Sequence, residues 1–188
     1  MAFRVQEFRS QMVFDGARPN LFECTLTFPL LALGEGDPQR KYTFMARAAQ
    51  LPGTTVNSVP VNYFGRELKF SGNRTFPEWT VVIINDEDFV IRKAFERWMN
   101  GLNGHVGNLR DPSFISGDGG YQQDGYVVQY GKAGNEIKAY KFVGMFPIDV
   151  APIELDWGAN DTIEEYSVTF SYQWWESDDN SATTDVSG

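Results

Sequence analysis

The chain has 188 residues, one cysteine, one histidine and a formal net charge of −9, which suits one domain with a real core or two small ones. An acidic chain without basic clusters excludes tight binding to a phosphate backbone or an anionic membrane, and a lone cysteine excludes an internal disulfide. It has no N-terminal apolar run and no stretch of about 18 apolar residues, so neither a signal peptide nor a membrane span is expected.

From the N-terminus, residues 1–19 are polar and irregular and read as an arm. "NLFECTLTF" (Asn20 to Phe28) alternates as a strand and puts Cys24 on the face of Phe22, Leu26 and Phe28, as a buried small hydrophobe rather than a reactive thiol. "LGEGDPQR" (Leu33 to Arg40) reads as a turn, after which "KYTFMARAAQ" (Lys41 to Gln50) returns as an antiparallel strand. Within residues 51–75, "VNSVPVNYFGRELKFSG" (Val56 to Gly72) reads as two short strands hinged near Phe64 and Gly65. Pro60 removes a ladder donor there, which suits a projecting or edge strand. A hairpin of this kind is marginal alone and needs a surface, either another subunit or its own body. The continuous apolar end of "TFPEWTVVII" (Thr75 to Ile84) reads as a central strand.

One long helix interrupts the strands, over residues 86–102. Ile91, Ala94, Phe95, Trp98, Met99 and Leu102 form an apolar stripe at helical period. Asn85 is placed to cap the first turn, Asp86, Glu87 and Asp88 to complement the dipole, and Gly101 to close the last turn. Arg92, Lys93, Glu96 and Arg97 occupy the opposite face, either as solvated surface or as a docking face. Beyond it, "GLNGHVGNLRDPSFISGDGG" is a Gly- and Asn-rich loop, and "YVVQYGKAGNEIKAYKFVGMF" (Tyr126 to Phe146) is a hairpin turning at "GKAGN". "TIEEYSVTFSYQWW" (Thr162 to Trp175) reads as one long strand. Its Tyr166, Val168, Phe170, Tyr172 and Trp174 face is core-like, whereas Glu165, Ser167, Thr169, Ser171 and Gln173 form a small polar wall that wants water. Residues 177–188 read as a flexible tail.

Catalysis has little to stand on. His105 lies in the glycine loop without a cysteine cluster for zinc or a nucleophile-elbow pattern for a triad. "SGDGGY" lacks the Lys-Ser/Thr of a phosphate-binding loop. Glu164 and Glu165 are adjacent strand residues that point to opposite faces, so they cannot flank one bond. "DWGAND" (Asp156 to Asp161) matches no established calcium spacing. No cofactor is expected. Fifteen per cent aromatic residues leave rings for interfaces, and a carbohydrate-binding β-sandwich using Trp157, Trp174 or Trp175 is one reading of a different class.

Four segments carry a resemblance: "ARPNLFECTL", "ARAAQLPG", "VPVNYFGRELKFSGNRTFPEWTVVIINDEDF" and "GMFPIDVAPIELDWGANDTIEEYSVTFSYQWWE". Their order and content resemble the tail tube protein of T-even-like contractile-tailed bacteriophages, from Arg18 to Glu176, and most densely over Leu51 to Asp88 and Gly144 to Trp175. Departures lie in the loop from Arg110 to Gln123 and after Glu176. The resemblance implies a single mainly β domain over 1–176, barrel- or sandwich-like with one flanking helix, assembling into hexameric rings with a continuous inner β-barrel. It implies a non-enzymatic virion protein that stacks into a tube and conducts the genome. Implied partners are the chain itself, the sheath, baseplate and terminator proteins, and DNA passing without specific binding, after assembly in the bacterial cytoplasm. Related tubes serve tailocins, injection systems and type VI secretion, so a tube or tube initiator of such a system stays open. Within that frame the expected inter-ring residues are Val59, Val61, Tyr63, Phe64, Arg66, Glu67, Leu68 and Lys69. The expected lumen residues are Glu165, Ser167, Thr169, Ser171 and Gln173, and the outer helix face is Arg92, Lys93, Glu96 and Arg97.

Overall fold

A computed structural model describes residues 4–12, 16–34, 36–114 and 120–177. Strands β1 (Phe22–Leu26), β5 (Trp79–Ile84) and β8 (Glu165–Ser171) bury every second side chain. Period-two burial of this kind lays one face of each strand on a core and leaves the other open. With β2 (Ala46–Ala49), β6 (Gln123–Tyr130), β7 (Glu136–Val150) and β9 (Trp174–Ser177), they form one antiparallel sheet in the order β1-β6-β7-β8-β5-β2. The long β7 turns the sheet over the core by changing partners. Tyr140 to Val143 pair with β9, whereas Phe146 to Val150 pair with β8. β3 (Thr55–Tyr63) and β4 (Arg66–Thr75) stand apart as a separate two-stranded sheet.

Helix α4 (Val90–Leu102) closes the core. Its Ile91, Ala94, Phe95 and Trp98 are buried, with Phe95 packed on Phe28 (5.1 Å between rings) and on Phe170 (5.7 Å). The Trp98 indole donates to the Tyr121 carbonyl at 2.9 Å, so the largest core side chain also has its polar atom satisfied. Trp79 contributes from the sheet, 4.6 Å from Phe142. The mainly β architecture with its long amphipathic helix is the one expected.

Several local expectations are corrected. Lys41 to Met45 are not strand, because α3 (Pro38–Met45) occupies them and only Ala46–Ala49 pair with β5. The reason is a start signal: the Asp37 carboxylate accepts from the Arg40 amide at 3.0 Å and Pro38 opens the first turn. The N-terminal arm carries a helix, α1 (Val5–Gln11), and a single turn, α2 (Leu30–Leu33), precedes α3. Asn85 does not cap α4, which begins only at Val90; its amide donates to Glu164 at 2.8 Å instead, tying β5 to the strand beside it. Asp88 meets the helix start by accepting from the Val90 amide. Gly101 does not close the helix but lies inside it, where an added Cβ would fall 2.2 Å from Phe114. The glycine is there for close approach. The expected single strand from Thr162 to Trp175 is two, broken at Tyr172 and Gln173. The tail after Ser177 and most of the "SGDGGY" motif lie outside the described residues.

Candidate assembly surfaces

The β3–β4 hairpin exposes nearly every residue on both faces. Its register sorts those residues. Val59 faces Phe70, Val61 faces Leu68 and Tyr63 faces Arg66, so one face is apolar with Arg66 near its tip. Pro60 opposite Lys69 and Asn62 opposite Glu67 make the other face polar, with Glu67 and Lys69 3.9 Å apart. The turn residues Phe64 and Gly65 both have positive φ (45° and 82°), the requirement of the two-residue turn that matches strand twist. Holding a phenylalanine there is costly, and its ring is 91% exposed at the tip, edge-on to Tyr63. The root is firm. The Trp79 indole donates to the Gln50 carbonyl (2.6 Å) and the Trp175 indole to the Gly53 carbonyl (2.9 Å).

On β8, Glu165, Ser167, Thr169 and Ser171 share the half-exposed face of the sheet, opposite the buried Tyr166, Val168 and Phe170. Gln173 lies in the break after β8, exposed, with its amide bonded to the Val143 carbonyl. Thr169 meets the Thr80 hydroxyl at 3.1 Å, and Asp149 of β7 stands opposite Thr169. Val82 and Ile84 of β5, across from Ser167 and Glu165, bring apolar groups into the same face. Glu165 is ion-paired with Arg47, a partner 118 residues away that strand alternation alone could not reveal.

The charged side of α4 is partly tied to its own subunit. Arg92 donates to the Ala151 carbonyl (3.1 Å) and to Glu96 (3.2 Å), and lies 5.0 Å above the Tyr166 ring. Burial pushes the Tyr166 phenol well above the usual tyrosine range, and the nearby Arg92 opposes that rise. Lys93 reaches back to the Asp88 carbonyl, and Arg97 fills the space beside Gly34. Lys93, Glu96 and Arg97 remain exposed. Cys24 is fully buried, and burial with the neighbouring Glu23 charge pushes its thiol up to about 12, as expected of a core side chain. His105 is exposed in its loop.

A chain whose hairpin carries an apolar face that nothing in its own fold covers has a surface suited to a partner: the class it defines is that of structural proteins with an assembly face. The fold agrees. It superposes on a chain of the anti-feeding prophage baseplate, six-fold symmetrised, with a TM-score of 0.61 at 11% identity over 86% of this chain and 95% of that one. It also superposes on a chain of the sheath–tube complex of an extracellular contractile injection system in its extended state, with a TM-score of 0.57 at 12% identity over 94% and 98%. The phage tail tube protein family model matches residues 17–178, and the tail tube protein gp19 of Enterobacteria phage T4 is 30% identical over 163 residues, 86% of this chain and 92% of that protein. The chain belongs to the phage tail tube protein family.

Proposed function

We propose that this chain builds the inner tube of a contractile phage tail as hexameric rings, stacked through their hairpins into a conduit for genome ejection. The observation that carries the reading is the β3–β4 hairpin, which offers a whole apolar face that its own subunit leaves uncovered. Six-fold closure is supported by the symmetry of the anti-feeding prophage assembly that shares the fold, and a heterologous contact repeated six times closes a ring. Closure sets the sheets of six neighbouring subunits side by side into one continuous inner barrel.

The Glu165, Ser167, Thr169 and Ser171 face lines the lumen in this reading. Acidic groups such as Asp149 hold DNA off that wall at a Debye length of about 8 Å, so no phosphate contact must break during transit. Helix α4 lies outside, presenting Glu96 and Lys93 to the sheath, while the stack ends on baseplate and terminator proteins. The subunit is a virion component assembled in the host cytoplasm, acting without catalysis or cofactor. A tube from an injection system is the second reading, supported by the fold shared with two such assemblies, and capsid and terminase genes beside this one would decide for the phage. A carbohydrate platform is poorly served by Trp175, whose indole is bonded to Gly53 and whose ring packs edge-on to Tyr140. Negative-stain microscopy of the purified chain tests the proposal. Long hollow polymers are expected, and monodisperse monomers that bind glycans would overturn it.

A further inference from the structure

We infer that the acidic loop between β7 and β8, residues 151–164, is the surface that receives the hairpin of the next copy along the tube; this rests on the tube reading above. The register of one ladder places the two elements at opposite ends of the subunit. β5 begins at Trp79 opposite Phe170 and ends at Ile84 opposite Glu165. The hairpin feeds directly into the Trp79 end, through Thr75 and the three residues that follow. The loop feeds directly into β8 at Glu165, the other end, about 17 Å away at about 3.3 Å per residue. Contacts between opposite ends of identical subunits are head-to-tail, and repeated without rotation back on themselves they generate an open stack.

The two ends also complement each other chemically. The loop carries Glu154, Asp156, Asp161 and Glu164 and no cation, whereas the hairpin carries Arg66, Lys69 and Arg74 against a single acid, Glu67. In a chain of net charge −9, the hairpin is a basic island. Both ends expose large apolar groups: Leu155, Trp157 and Ile163 on the loop, and Val61, Tyr63 and Phe64 on the hairpin. Trp157 is fully exposed in the single subunit, and large aromatics left open this way are the side chains that dominate contacts once desolvated. The loop is already shaped for this, since Asp156 accepts from the Gly158 amide at 2.9 Å and Glu164 is held by Asn85. Docking the Arg66-bearing apolar face onto that surface covers both exposed patches and pairs charges of opposite sign.

Charge exchange tests the pairing. One variant carries Arg66→Glu, a second carries Glu154→Lys, and a third combines both. The substituted side chains are exposed, and unchanged circular dichroism confirms each fold. Tube elongation is expected to be lost in the first two and recovered in the third. A loop variant that elongates like wild type, or a combined variant no better than its parents, overturns the pairing while wild-type tubes keep the tube reading intact. Wild-type chain that forms no tubes removes both. Amide exchange of wild-type protein is an independent check: Leu155 to Ile163 and Val59 to Phe70 should both slow on assembly, and a loop that exchanges as freely in tubes as in subunits overturns the inference.

Discussion

Helix α4 and the β3–β4 hairpin carry the same kind of pattern, an apolar face backed by charges, and meet opposite fates. The α4 stripe disappears into its own subunit, with Phe95 and Trp98 wholly buried. The hairpin keeps Val61 47% and Phe64 91% exposed. Amphipathicity states that a face will be covered; it does not state by which molecule. The difference comes from connection. α4 is delivered back over the sheet by the short segment after β5, whereas the hairpin leaves at the sheet end on a root pinned by the Trp79 and Trp175 indoles.

The sharpest way to break that comparison is to delete the hairpin. Removing Val59 to Glu67 takes away no buried side chain, so a folded β-protein by circular dichroism is expected, with tube elongation abolished. Tubes of normal length from this deletion would show that the hairpin does not connect rings. The opposite outcome is expected on the helix. Trp98→Ala removes a fully buried indole and its bond to Tyr121, and should lower unfolding free energy by about 3–5 kcal/mol in a denaturant titration. A loss below 1 kcal/mol would mean that the stripe is not held as described. Gly101→Ala should cost about 1–3 kcal/mol by overpacking against the Phe114 ring, although alanine is the better helix former. A higher melting temperature for this variant would count against the close approach.

A subtler variant addresses the open face of the sheet. Glu165→Lys breaks an exposed pair with Arg47 and should change stability by no more than about 1 kcal/mol. Tubes should still form, yet DNA passage should slow, because each subunit then sets two uncompensated cations toward the phosphates. Ejection kinetics equal to wild type would place this face away from the lumen.

Much of this organisation was legible in the sequence. The hairpin hinged at Phe64 and Gly65, the burial of Cys24, the α4 stripe and the two faces of β8 all follow from period and turn chemistry in the residues themselves. The α3 helix was legible too, in Asp37 followed by Pro38, but Gly34, Gly36 and Pro38 made the stretch read as a turn. Other features depend on contacts between distant segments. Arg47 beside Glu165, Asn85 bonded to Glu164, and Gly101 under Phe114 are tertiary facts, and no window along the chain contains both partners of the first two. The same holds for the hairpin and the 151–164 loop standing at opposite ends of one ladder, which only the strand register reveals.

The smallest effect concerns the clasp between the two longest helices. Lys41 of α3 reaches Asp86 (2.6 Å) and Asp88, which lie just ahead of α4. Hydrogen bonds from Lys41, then from the backbone amides of Glu87 and Val90, hold both carboxyls below the usual aspartate range, and the same carboxylates raise the lysine. The depressed carboxyls contribute stability above the unfolded aspartate pKa of about 4, and it is lost as pH falls through their folded values. The raised lysine contributes stability below its unfolded pKa of about 10.4, and it is lost as pH rises through the folded value. The clasp therefore acts across a broad neutral plateau and fails at both ends. Because both aspartates are well exposed, water screens the pair and the effect stays small. Lys41→Met should melt slightly below wild type at neutral pH, and the two melting temperatures should converge as the carboxyls protonate. A gap that persists unchanged into acid would show that Lys41 acts through the packing of its methylenes rather than through its charge.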